Sequence, residues 1–267
     1  MPWARPGVGA IATQANAEIS YGPKGLELLE SGLSAADALA QLLAQDPGRD
    51  SLQVAIVDGA GEVATHTGTG CMAFAGDIQG EGVSCQANIM ASPDVWPAML
   101  AAFDQAADGS LTLALLAALD AAEAVGGDIR GRQSAAILVV PADGNSWDAV
   151  ISLRVEDHPE PLPELRRLHR LDEAYKLAGQ ADQLTGAGQH DEAATLYLRA
   201  AELAPEAHEL RFWAGLGAAQ AGDMDRALAH MRAAIDAQPG WLVLLDRLTP
   251  DQAPAARSVA QLLREHA

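Results

Sequence analysis

Gly126-Gly127-Asp128-Ile129-Arg130-Gly131-Arg132-Gln133-Ser134 runs directly into Ala135-Ala136-Ile137-Leu138-Val139-Val140, and the reading of this stretch decides the fold. The second half is too apolar for anything but a buried strand. The first half sets polar and charged side chains, with three glycines, at the mouth of that strand. Glycine lets backbone approach another group closely, and the strand behind it fixes where Arg130, Gln133 and Ser134 point. Polar groups so placed form either a ligand site or a hydrogen-bonded structural corner. On composition the corner is the first reading, because buried polar groups mostly satisfy one another.

Working outward, residues 111–125 are so rich in Ala and Leu that they predict a helix held between layers, with a companion helix over residues 93–107. Residues 82–90 alternate loosely and predict a strand with Gln86 and Asn88 on one face, since residues two apart share a side. Further back, Leu52-Gln53-Val54-Ala55-Ile56-Val57 and residues 62–67 flank the turn Asp58-Gly59-Ala60-Gly61, a hairpin signature. Residues 8–14 read as an interior strand reaching the sheet edge at Thr13 and Gln14. Two short helices lie between, the second capped by Ser34 and ended by Asp46-Pro47-Gly48. Beyond the opening stretch, residues 149–155 give a last strand. Strands in runs separated by paired helices predict an α+β layered sandwich, not a Rossmann alternation.

Composition excludes several classes. Against 36 acidic residues stand 17 Lys and Arg, for a net charge of −19, which argues against a nucleic-acid partner. No apolar run is long enough to span a bilayer, and the opening Met1-Pro2-Trp3-Ala4-Arg5-Pro6 is no secretory signal, so a cytoplasmic, non-membrane protein is expected. Cys71 and Cys85, 14 residues apart, fit neither metal-type CxxC spacing nor a disulfide framework and read as two small buried thiols. His66 and His158 lack companions at metal-ligand spacing and read as surface or satisfied histidines. There is no phosphate-loop motif. No cofactor and no metal are expected.

The proline-rich, charged segment at residues 156–163 marks a boundary between residues 1–160 and 161–267. An internal repeat follows: Gly188-Gln189-His190-Asp191-Glu192-Ala193 returns 34 residues later as Gly222-Asp223-Met224-Asp225-Arg226-Ala227, and Ala200 with Pro205 returns as Ala234 with Pro239. A 34-residue period of helix, turn, helix and closing proline is the tetratricopeptide signature. Small Ala193, Ala200, Ala227 and Ala234 suit close helix approach, with Tyr197 and Met231 filling the gaps. A leading helix over 165–184 and a trailing one over 253–265 complete an all-α region, expected to bind a protein or peptide partner.

Beyond these signals, the first part of the chain resembles the DUF1028 family, regarded as members of the Ntn-hydrolase-like superfamily. The resemblance rests on Pro2-Trp3-Ala4-Arg5 with Gly7-Val8-Gly9-Ala10, Ala12-Thr13-Gln14, Tyr21-Gly22-Pro23 with Gly25-Leu26, and Gly32-Leu33-Ser34-Ala35. It continues through Gln53-Val54, Thr67-Gly68 with Cys71, Gln86-Ala87-Asn88, the opening stretch, and Arg154-Val155-Glu156-Asp157-His158-Pro159. It implies a four-layer αββα sandwich and amide-bond hydrolysis by an N-terminal Thr, Ser or Cys whose α-amino group acts as base. In the family a strand pair precedes the Pro-Trp-Ala region, whereas this chain opens on Met1-Pro2-Trp3, and Pro2 has no nucleophilic side chain. The resemblance therefore implies either a nucleophile on strands absent here or a non-catalytic binding or scaffold member. An edge left open by absent strands would pair with another chain, giving a homo-oligomer.

The candidate substrate-binding residues are Thr13, Gln14, Gln86, Asn88, Asp128, Arg130 and Gln133. Arg130 offers bidentate donors to a carboxylate or amide, with Asp128 orienting it. Gln86, Asn88, Thr13 and Gln14 would line the same cleft as amide-type donors, or form a polar ladder in the core. Thr13, Ser84 and Ser134 are nucleophiles in type only, with no base apparent beside them.

Overall fold

The computed structural model describes residues 1–106 and 108–265, in two compact units, Met1–Arg166 and Arg167–Ala267. In the first, strands β1 (Pro2–Arg5), β2 (Gly9–Ala15), β3 (Leu52–Asp58) and β4 (Val63–Thr67) form one antiparallel sheet in that order. β5 (Gly76–Gly80) pairs with β6 (Val83–Ala87), and β7 (Ala135–Val139) with β8 (Ile151–Val155), as separate antiparallel ribbons.

Alternation along β2 and β3 divides the four-stranded sheet into two unlike faces. Ile11 and Thr13, opposite Ile56 and Val54, face helices α1 (Tyr21–Glu30) and α2 (Ala35–Ala44), whose Leu26, Leu29, Leu39 and Leu42 close the core. Burying each such leucine or isoleucine contributes roughly 1.5–3 kcal/mol. The Ser34 hydroxyl caps α2 by accepting from the Asp37 amide at 3.1 Å. The opposite face carries Gln14, Gln53 and Thr67 and lies against the β5–β6 ribbon, which packs in turn on α3 (Val95–Ala106). α4 (Leu111–Ala124) packs on α3 and β7.

Several expectations are corrected. β1 and β5 were not foreseen, and α3 starts at Val95; residue 107, its expected end, lies outside the described residues. α4 is not enclosed all round: Thr112, Ala114, Leu116 and Ala118 are buried, but Leu111 and Leu113 are 52% and 46% exposed. The boundary segment at residues 156–163 is already helical from Pro161, because proline at the first helical position costs no hydrogen bond. The division between units falls inside that helix, α5 (Pro161–Gly186).

The second unit is helical, with α6 (His190–Leu203), α7 (His208–Gln220), α8 (Met224–Ala237), α9 (Gly240–Arg247) and α10 (Ala256–Glu265) following α5. α9 was not expected. The Gly188 amide reaches the Thr185 carbonyl and the Gln189 amide that of Leu184; 34 residues on, Gly222 reaches Ala219 and Asp223 reaches Ala218. Both glycines are left-handed, φ +77° and +87°, as this helix-ending motif requires. Ala193, Ala200, Ala227 and Ala234 are all at most 1% exposed, so each permits a close helix contact. No helix among the described residues is long and apolar enough to cross a membrane.

Candidate functional site

The glycine turn that opened the sequence reading is stapled to the chain just after β6. The Ala91 amide donates to the Gly127 carbonyl and the Ile129 amide to the Ile89 carbonyl, with a bridge between Met90 and Asp128. Gly126 and Gly127, at φ +117° and +55°, make this reversal possible. Asp128 and Arg130 thereby stand beside Gln86, on β6, and Asn88, just past its end, at the wall of a cavity of about 960 Å³.

Arg130 is aimed by Asp128. Its Nε donates to Asp128 Oδ1 at 2.9 Å and its Nη2 to Oδ2 at 2.6 Å, while its backbone amide donates to Oδ1 at 2.8 Å. These bonds hold the Asp128 carboxyl below its ordinary range. Arg132 donates to Glu123 and Glu160, and Arg154 to Glu156, so every guanidinium of the wall is anchored by a carboxylate. The first unit has only seven Lys and Arg, and three of them line this cavity. Five amide side chains join them: Gln14, Asn16, Gln86, Asn88 and Gln133.

Beneath lies Gln53, with no exposed surface. Its Nε2 donates to the carbonyls of Gly76 at 3.0 Å and Ala87 at 3.1 Å and to Thr67 Oγ1 at 2.9 Å. Carbonyls only accept, so the orientation of this amide is settled. Gln53 Oε1 must then accept, from Gln14 Nε2 at 2.7 Å and Asn88 Nδ2 at 3.2 Å. Each of those two amides keeps a carbonyl oxygen and one N–H for other partners. Gln86 Nε2 is shut off from solvent without a hydrogen bond among the described residues.

The backbone of the wall is strained. Among the described residues, the non-glycines with positive φ are Ala15 at +61° and Ile89 at +59°, and both line the cavity. Such conformations cost about 1–3 kcal/mol each and collect at functional sites.

Gln14, Gln86, Asn88, Asp128, Arg130 and Gln133 are thus brought to one cavity. Thr13 is not, because it neighbours Gln14 on a strand and faces the helices instead; its Oγ1 has no partner among the described residues. Sequence reasoning missed Gln53, whose signal was a lone amide amid the apolar Leu52-Gln53-Val54-Ala55-Ile56. Of the nucleophile types on the wall, Ser51 Oγ donates to the Gly48 carbonyl and Cys71 Sγ to the Leu52 carbonyl, neither to a base. Burial pushes the Cys71 thiol up, away from the thiolate. Ser84 is buried at its hydroxyl, and Ser134 is exposed on the wall. Both cysteines are free. His66 Nε2 lies 2.8 Å from the Arg49 carbonyl, and His158 Nδ1 accepts from the Glu160 amide at 3.0 Å.

Among the described residues one group has metal-ligand proximity, His169, Asp172 and Glu173 on α5. There Lys176 Nζ lies 2.7 Å from Asp172 and 2.9 Å from Glu173, placing an ammonium where a cation would sit.

Comparison with curated proteins gives no match. Among solved structures, the chain is similar to the crystal structure of protein SPO2555 from Silicibacter pomeroyi, described under DUF1028, at 32% identity and a TM-score of 0.56 over 61% of this chain and 70% of that one. The model of the DUF1028 family, a family of unknown function, matches residues 1–165, which include every residue of the cavity wall and Gln53 beneath it. The chain therefore belongs to the DUF1028 family.

Proposed function

We propose that residues 1–160 form an Ntn-hydrolase-like domain whose cavity binds a small molecule bearing carboxylate and amide groups. The observation that carries this reading is the concentration of three of seven cationic side chains, with five amides, in one strained cavity of a unit that is otherwise strongly acidic. Guanidinium forks recognise carboxylates bidentately, and amide side chains offer the paired donor and acceptor that a ligand amide needs. The layering of α1 and α2, sheet, β5–β6 ribbon and α3 supports an αββα sandwich.

Binding is favoured over hydrolysis by the described residues, since Ser51 and Cys71 give their protons to backbone carbonyls. Amide-bond hydrolysis rests on the resemblance to Ntn hydrolases. For residues 161–267 the 34-residue recurrence of helix ends supports a tetratricopeptide-type region that receives a protein or peptide partner.

A panel of N-acyl amino acids, carboxamides and γ-glutamyl compounds tests the reading, followed by thermal unfolding and by amine release. A ligand at ten times its Kd stabilises by about 1.4 kcal/mol and raises the midpoint by about 4 °C. If uncharged amides without a carboxylate stabilise as well as the acids, or nothing in the panel binds, the reading is wrong. Amine release by the same ligands would add hydrolysis to binding.

A further inference from the structure

A second concave pocket, of about 480 Å³, lies within the helical unit between α5, α6, α7 and the turn at residues 251–254. Its volume lies in the range of small-ligand clefts and leaves room for a long side chain with bound water. Ten Lys and Arg occur in the unit, yet none lines this pocket, whereas Asp182 and Asp251 do. Some carboxylates of the unit are matched, Asp172 and Glu173 by Lys176, Asp223 by Arg226 and Asp246 by Arg264. Neither Asp182 nor Asp251 has an ion pair among the described residues.

The Asp182 carboxylate is held in place. An ideal Cβ at Gly217 would lie 2.7 Å from the Tyr197 ring, so glycine there lets that ring approach α7 closely. From this position the Tyr197 hydroxyl donates to Asp182 Oδ1 at 2.5 Å, leaving Oδ2 for a ligand. Burial first, then this bond, pushes the tyrosine up to about 12, so the phenol keeps its proton. Asp251 rides a turn closed by Gln252, whose Oε1 accepts from the Thr249 amide at 3.0 Å. The Trp213 ring, braced edge-on by Phe212 with centroids 5.1 Å apart, supplies an aromatic wall. His190 adds a buried Nδ1 without a partner among the described residues.

We infer that this pocket takes the basic side chain, lysine or arginine, of an extended peptide partner; the inference rests on the partner-binding reading of the helical unit. Two uncompensated carboxylates and an aromatic face are complementary to an ammonium or guanidinium and to no anion.

The test is fluorescence anisotropy on the full chain with fluorescein-labelled Gly-Ser octapeptides carrying two Arg, two Lys, two Glu or two Leu. Basic peptides are expected to bind at least about tenfold more tightly than acidic ones. Asp182→Asn and Asp251→Asn should each weaken them by about fivefold, in keeping with solvent-accessible ion pairs. Asp236→Asn, outside the pocket, should change nothing, and circular dichroism checks that each variant is folded. Equal binding of acidic or apolar peptides, or indifference to both pocket substitutions, overturns the basic-side-chain inference and leaves the partner-binding reading standing. Binding of no peptide overturns both.

Discussion

Replacing Gln53 with leucine removes one side chain of nearly the same volume and five hydrogen-bond contacts at once, three of them shared between the two protons of Nε2. The wholly buried Ala87 carbonyl loses its donor at about 2 kcal/mol, and the four part-buried contacts, to Gly76, Thr67, Gln14 and Asn88, lose about 0.5 kcal/mol each. The apolar replacement returns about 1 kcal/mol because it needs no desolvation. A net loss of about 3 kcal/mol remains. At about 2.1 cal/mol/K per residue over the 166 residues of the first unit, that lowers its unfolding midpoint by about 9 °C. Differential scanning calorimetry of the full chain reads the shift. Gln53→Glu, which keeps the shape but at neutral pH has no proton for the two carbonyls, should be at least as damaging there. It should recover towards acid, since a carboxyl raised above its unfolded value near 4.3 stabilises below that pH and loses the effect as pH rises. A Gln53→Leu midpoint within about 3 °C of the parent would refute the account of Gln53 as the anchor of the cavity floor.

Arg130→Gln should leave the midpoint within about 2 °C, because its pair with Asp128 is largely solvated, yet weaken binding of a carboxylate ligand by about tenfold in calorimetric titration; unchanged affinity would remove Arg130 from the site. Ala15→Gly, at φ +61° and exposed, should stabilise by about 0.5 kcal/mol in urea unfolding, the reverse of the usual loss for this exchange; a loss would mean that the strain is not there. Gly217→Ala should destabilise the helical unit by about 1–3 kcal/mol through the Tyr197 ring, and a neutral result would show that the ring can move. Burial pushes the Cys85 thiol up to about 11, so its contribution to stability holds below the unfolded value of 9.0 and is lost as pH climbs towards 11. Iodoacetamide at pH 8 should reach half-buried Cys71 before Cys85, and mass spectrometry showing the opposite order would contradict this burial.

The hairpin β3–β4 was legible because Asp58-Gly59-Ala60-Gly61 is turn chemistry between alternating runs, and Asp58 Oδ1 accepts from the amides of Ala60 and Glu62. β1 was not, since Pro2-Trp3-Ala4-Arg5 has no alternation of its own and becomes a strand by pairing with β2. β5 likewise offers a single apolar residue, Ile78, between glycines, and its conformation is imposed by β6. The 34-residue recurrence was plain in Gly188 and Gly222, whereas α9 has no capping side chain and shares little sequence with α7, which stands 34 residues earlier. In the cavity, Asp128, Arg130, Gln86 and Asn88 were found by residue type and strand parity. Parity also excludes Thr13, which the grouping with Gln14 had overlooked. Gln53 escaped notice because its importance depends on carbonyls 23 and 34 residues away, which no local pattern reveals.

The same side chain bears on the order of assembly. Gln53 bonds to Gln14 on β2, Thr67 on β4, Gly76 on β5 and Ala87 on β6, so its full set of partners is complete only when the sheet and the ribbon have met. A chain with the sheet formed and the ribbon still loose would lack the Gly76 and Ala87 bonds of this amide. That intermediate is disfavoured, which couples segments far apart along the chain into one cooperative step. The backbone amides of β3 and β6 should accordingly lose their protection against hydrogen exchange together.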